Sequence, residues 1–148
     1  MVPKISERYF QALLVEQDAL EAVSTISGFW SHRMDASKPM FGLRRPEYTC
    51  QLVLIYTGEI GNGGHSQFFL NRDHGHIADC IEALHAVRLQ DLATILRQAS
   101  KVPGNRKRLH QLDQEVWSNS LNVDRALQTF LQENSDHVLL EERPSPKG

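Results

Sequence analysis

Cysteine is nearly missing from this chain: Cys50 and Cys80 are the two among 148 residues. Two thiols make no disulfide framework, and each sits in an apolar pattern. Both are therefore expected as buried free thiols, in a reducing compartment. Long hydrophobic runs are missing too. The most apolar one is Leu52-Val53-Leu54-Ile55-Tyr56, far short of the roughly 20 residues a membrane span needs. The first residues hold Lys4, Glu7 and Arg8 and no apolar run of about 7–15 residues, so no signal peptide is expected and the cytoplasm is the expected location. A strong excess of one charge is also absent. A net charge of −2 and a pI near 6.4 give no electrostatic argument for direct nucleic-acid binding. What remains is a chain of 148 residues with 41% hydrophobic side chains. That suffices for one domain burying roughly two-thirds of its unfolded surface.

The periodicity of the chain is helical. Ser6 is a natural N-cap, and Phe10, Leu13, Leu14, Ala19, Leu20 and Val23 form an apolar stripe that Gly28 should end. Phe29-Trp30 opens a less regular stretch to Arg45, punctuated by Pro39 and Gly42, with Met34, Met40 and Phe41 as packing residues. Pro46 suits the first helical turn and Glu47 suits its dipole. Residues 46–60 then read as a central buried helix, apolar nearly all round. A buried strand over Leu52–Tyr56 is the alternative that periodicity alone does not remove. Gly61, Gly63 and Gly64 should end this helix. A short helix through Gln67, Phe68 and Asn71 follows, then a turn at Asp73-His74-Gly75-His76. Ile77, Cys80, Ile81, Leu84 and Val87 continue at helical spacing, with a kink near Arg88–Gln90 before Leu92, Ile95, Leu96 and Ala99. Pro103-Gly104-Asn105 predicts a loop. Leu109, Leu112, Val116 and Trp117 predict the inner face of a helix over 106–118, and Asn122 caps a last one through Ala126, Leu127, Phe130 and Leu131. Val138 to Leu140 should dock on the body. The fold class is all-α, a single compact multi-helix domain over residues 1–143, of about six to eight helices, with a disordered tail at 144–148.

The densest chemistry lies in Glu59-Ile60-Gly61-Asn62-Gly63-Gly64-His65-Ser66-Gln67-Phe68-Phe69-Leu70-Asn71. A glycine-rich turn entering a helix can cradle an anion. This one has neither the Lys-Ser/Thr of a P-loop nor a G-x-G-x-x-G. The architectural reading has Glu59 accepting N–H bonds from the turn, Asn62 capping the next helix, Gln67 and Asn71 completing a buried polar network, and Phe68 and Phe69 anchoring it. His65, His74 and His76, with Asp73, Asp79 and Cys80 nearby, raise a metal reading. Their H-x₈-H-x-H spacing fits no zinc pattern, and histidines in turns are expected as solvated surface groups. Ser66 beside His65 makes no triad, no G-x-S-x-G elbow is present, and Cys80 should be a protonated, inert thiol. No catalytic residue, metal ligand or cofactor is assigned. Arg44-Arg45 and Arg106-Lys107-Arg108 read as solvated basic clusters. Glu133, Asp136, Glu141 and Glu142 read as a wet face and tail, or as an acidic contact surface for a basic partner.

The same stretch, followed by Ile81-Glu82-Ala83-Leu84, resembles the signature of the DNA-mimic-protein-like family: Glu, then Asn-Gly-Gly, then Gln-Phe-Phe and Asn. The resemblance covers roughly residues 46–100, with further similarity from Leu109 to Val138 through Leu112-Asp113. It implies an all-α domain and, for at least one member, binding to a DNA-binding protein by presenting carboxylates where phosphates would lie. The leading reading is a non-enzymatic protein-interaction module, regulatory or inhibitory by occluding a protein partner. Its binding or structural motif is Glu59, Asn62, Gly63, Gly64, His65, Gln67, Phe68 and Asn71. It implies a protein partner, no direct nucleic acid and no membrane, and it is compatible with a homodimer. The alternatives are a DNA mimic acting on a transcription factor, and a small-ligand or metal-binding enzyme using Glu59, Asn62, His65 and Gln67.

Overall fold

The computed structural model describes residues 5–31, 45–119 and 122–138. Every regular element among them is helical, so the all-α expectation holds and the strand alternative at Leu52–Tyr56 falls. The elements are α1 (Glu7–Leu14), α2 (Ala19–Ser31), α3 (Arg45–Asn71), α4 (His74–Ala86), α5 (Gln90–Ser100), α6 (Arg106–Asn119) and α7 (Val123–Glu133), then a 3₁₀ turn over Ser135–His137. Their contacts group into two compact units, one of residues 1–48 with 124–148, the other Thr49–Val123. The expected packing residues Met34, Met40 and Phe41, Leu139 and Leu140, and the tail lie outside the described residues.

In the first unit, Ser6 caps α1 as its sequence predicts: its Oγ accepts the Tyr9 N–H at 3.2 Å. Phe10, Leu13 and Leu14 are buried. The single helix expected through Gly28 is instead two. The chain breaks at Val15-Glu16-Gln17-Asp18, where a polar triplet interrupts the apolar stripe and offers a better cap than a mid-helix residue. Asp18 Oδ1 accepts the Glu21 N–H at 3.1 Å and starts α2. Leu20, assigned to the buried stripe, is 61% exposed as a result. The carbonyls freed at the end of α1 are taken up by α7. Gln128 Nε2 donates to Leu13 O at 3.0 Å and to Glu16 O at 2.8 Å, and Arg125 donates to Gln17 O at 2.7 Å. Gln132 Nε2 donates to Leu14 O. Nor does Gly28 stop α2, which runs to Ser31 and takes in Phe29 and Trp30. Ala22, Val23, Ile26, Leu127, Leu131 and Val138 complete this unit's core. Phe130 and Ala126, expected inside, are half-buried.

The second unit is organised on α3. Pro46 and Glu47 stand in its first turn, and Cys50, Leu52, Val53, Tyr56 and Ile60 are buried along it. It is the central buried helix the sequence predicts. Each large apolar side chain buried there contributes about 1.5–3 kcal/mol. Both thiols are buried and free, and burial pushes the Cys80 thiol up to about 12. Helix α4 packs on α5, and α5 on α6. The expected kink is a break at Val87 to Leu89, where Arg88 takes φ 65°. Asp73 does not sit in a free turn: its Oδ1 accepts the His76 N–H at 2.8 Å and caps α4, so His74, Gly75 and His76 are its first turn. Asn105 Oδ1 accepts the Arg108 N–H at 3.0 Å and opens α6. Trp117, expected to point inward, is 48% exposed.

A buried tyrosine, histidine and aspartate at the bend of α3

Of the three glycines expected to end the central helix, only Gly64 does so. Gly61 and Gly63 continue it, and α3 is two helical segments, 45–63 and 65–71, bent at Gly64. Gly64 has φ 74° and ψ −175°, a conformation that is essentially reserved for glycine. A Cβ there would also collide with the Asp113 carboxylate, arriving from α6. Backbone conformation and close approach thus ask for glycine at the same position.

The bend aims the next residue inward. His65 has no exposed surface, which corrects its reading as a solvated turn histidine. Asp113 Oδ1 accepts two bonds from it, from the backbone N–H at 2.8 Å and from Nδ1 at 2.6 Å. The other ring nitrogen, Nε2, lies 2.8 Å from the Tyr56 hydroxyl. The donors can be assigned from the chemistry. A carboxylate only accepts, so Nδ1 carries the proton, and Nε2 accepts from Tyr56 O–H. Burial lowers the His65 pKa, with the Asp113 hydrogen bond and charge opposing it. Burial, then the Asp113 charge, raises the Tyr56 pKa. The resting state is a neutral tyrosine, a neutral imidazole and a carboxylate. Around them Tyr56 and Phe68 meet edge to face with ring centroids 5.3 Å apart, and Phe69 lies 5.9 Å from the imidazole.

The remaining signature residues part company with this core. Glu59 does not accept bonds from the turn. Its Oε1 takes two from Arg72, at 3.0 Å from Nε and 2.7 Å from a terminal nitrogen. Arg72 closes the second helical segment, so the pair ties together the two sides of the bend. Gln67 and Asn71 form no buried network, since both are exposed, as are Asn62 and Gly63. The Asn62 cap is unneeded because the helix runs straight through that position. Leu70 beside them is 87% exposed. Phe68 is fully buried. The signature therefore has two faces. Glu59, Gly64, His65 and Phe68 build the bend, whereas Asn62, Gly63, Gln67 and Asn71 face outward.

Chemically, the buried face is a clamp. Tyr56 Oη, both ring nitrogens of His65 and Asp113 Oδ1 are engaged with one another. The four side chains that a ligand- or metal-binding site would use, Glu59, Asn62, His65 and Gln67, occupy separate surroundings. Among the described residues no group of three or more His, Cys, Asp or Glu side chains is arranged to hold a metal ion. The sequence does carry a signal for the missing member. Asp113 lies on the inner stripe of α6 with Leu109, Leu112 and Val116, and a carboxylate on an apolar stripe requires a buried partner.

A family model described as DMP19-like protein covers residues 42–142. No curated protein and no solved structure matches the chain.

Proposed function

Because this chain belongs to the DMP19-like protein family, we propose that it is a non-enzymatic protein-binding module that covers the DNA-binding face of a basic partner with its own carboxylates. The observation that carries this reading is a set of exposed carboxylates in the first unit. Residues 1–48 and 124–148 hold eleven acidic and nine basic side chains. Thr49–Val123 carries seven acidic and seven basic side chains. Glu16, Asp18, Glu21, Glu133 and Asp136 are exposed. Burial, and then the charge of Asp18, raises the Asp124 pKa. Carboxylates crowded in this way repel one another, and a cationic surface relieves the repulsion as it does between duplex phosphates.

In this reading Glu59, Gly64, His65 and Phe68 are scaffold, and residues 1–143 act as one domain. A second reading rests on Leu70. With Ser66, Gln67 and Asn71 it forms an exposed, uncharged face on which a partner that does not bind DNA would be held by apolar and amide contacts.

One experiment separates the two. The protein's partner, recovered from host lysate and purified, is titrated at low and moderate salt, with and without competing duplex DNA. Mimicry predicts affinity that falls steeply with salt, is lost to duplex competition, and weakens in Glu16→Gln/Glu21→Gln. Binding that is indifferent to salt and to duplex, and sensitive to Leu70→Ser, sinks mimicry in favour of the second reading.

A further inference from the structure

The α1–α2 turn carries more than charge. Val15 is 76% exposed and Leu20 is 61% exposed, six residues inclusive that bracket Glu16, Gln17 and Asp18 and adjoin Glu21. Single exposed apolar side chains are ordinary. Val15 at the end of α1 and Leu20 in the first turn of α2 are two exposed aliphatic side chains within six residues, set among three exposed carboxylates. The turn is also held rigid from behind. Arg125, Gln128 and Gln132 of α7 bind the carbonyls of Leu13, Leu14, Glu16 and Gln17, and Asp18 and Glu16 cap the backbone between them. A surface already ordered before binding loses little entropy when a partner arrives. These residues lie outside the 42–142 covered by the family match, so membership does not assign them a role.

We infer that residues 15–21 are a docking point for a cationic amphipathic helix of the protein partner, with Val15 and Leu20 as apolar anchors and Glu16, Asp18 and Glu21 as the acidic rim. The occupant follows from complementarity: carboxylates require a basic surface, and the two aliphatic side chains require an apolar stripe on that surface. A duplex offers neither, and a neutral helix leaves three carboxylates facing apolar groups. The inference rests on the reading above that the partner is basic, and it adds a contact that phosphate mimicry does not need. Apolar burial is far less sensitive to salt than ion pairing. The anchors should therefore set the affinity that persists when salt is raised.

The test uses the full chain and two synthetic helical peptides of equal length and charge. Each has lysines on one face. One has leucines on the other face, and the second has serines there. Isothermal titration should give about tenfold or more tighter binding of the leucine peptide. Val15→Ser/Leu20→Ser should remove that preference while leaving serine-peptide binding intact, and Val15→Ile/Leu20→Met should keep it. Equal affinity for the two peptides, an unchanged preference in the serine variant, or no binding of either peptide overturns the inference. Salt-dependent binding of the serine peptide that weakens in Glu16→Gln/Glu21→Gln is the separate readout for the acidic surface. If that persists while the preference is missing, the anchors fail and the acidic reading stands.

Discussion

Tyr56, His65 and Asp113 each satisfy a group that burial would otherwise leave stranded. The Tyr56 hydroxyl donates to a ring nitrogen that has no other acceptor role, and Asp113 takes both N–H groups of His65 through one oxygen. Removing one partner is costlier than the bond itself, since the survivor stays buried and unpaired. Tyr56→Phe should lower stability by about 1–3 kcal/mol, and Asp113→Asn by at least as much, because the amide replaces a charged acceptor of two bonds with a weaker neutral one. Denaturant unfolding checks both. The double variant should cost clearly less than the sum of the two, as members of one network do. Strict additivity would show that the three side chains do not act together.

At the scale of elements, α3 is decided by one of its glycines. Gly58 and Gly61 lie in helical conformation with open space where a Cβ would go, whereas Gly64 has φ 74° with Asp113 against it. Gly61→Ala should therefore stabilise the protein by about 0.4–1 kcal/mol, through helix propensity and a less free unfolded chain. Gly64→Ala should destabilise it by about 1–3 kcal/mol from backbone strain, before any displacement of Asp113 is added. Opposite shifts of the thermal midpoint are the expected result. Equal shifts would mean that the bend is not set at Gly64. The α1–α2 break obeys similar logic. A polar triplet with a competent cap ended one helix and began another, and side chains of α7 satisfied the carbonyls that the break released.

For the whole molecule, the buried imidazole links stability to pH. The folded-state pKa of His65 is lowered from 6.5, mainly by burial, and that of His76 is lowered as well. A depressed pKa means that the unfolded chain binds protons more readily. Stability is therefore full above about pH 6.5 and declines as pH falls below it. Protonation of His65 would also turn Nε2 into a donor facing the Tyr56 hydroxyl, breaking the assigned bond pattern. The unfolding midpoint should fall between pH 7.5 and 5.5, roughly, and the fall should be shallower in His65→Asn, even though that variant is less stable at every pH. An identical pH profile in variant and parent would place the dependence on other groups. The acidic surface acts on a different variable at this scale: salt concentration should govern its binding without changing the midpoint comparably, since exposed charges are screened far more than buried ones.

Periodicity, caps and punctuation are local, and through them the sequence alone determined a mainly helical chain, with Ser6 opening the first helix and a loop at Pro103-Gly104-Asn105; that Leu52–Tyr56 is helix and not strand was decided by the structure. The signature from Glu59 to Asn71 likewise carries the resemblance to the family. Which signature residues are buried was decided by the tertiary structure. Three glycines look equivalent on paper, yet only Gly64 meets Asp113, which lies 49 residues further along the chain. His65 read as a surface group because its neighbours in sequence are polar, whereas its neighbours in space are Tyr56, Phe69 and Asp113. The grouping of carboxylates was hidden for the same reason. Net charge sums over the chain, but folding brings residues 5–31 and 124–138 into one unit and places Asp18 beside Asp124, and only proximity makes carboxylates act together.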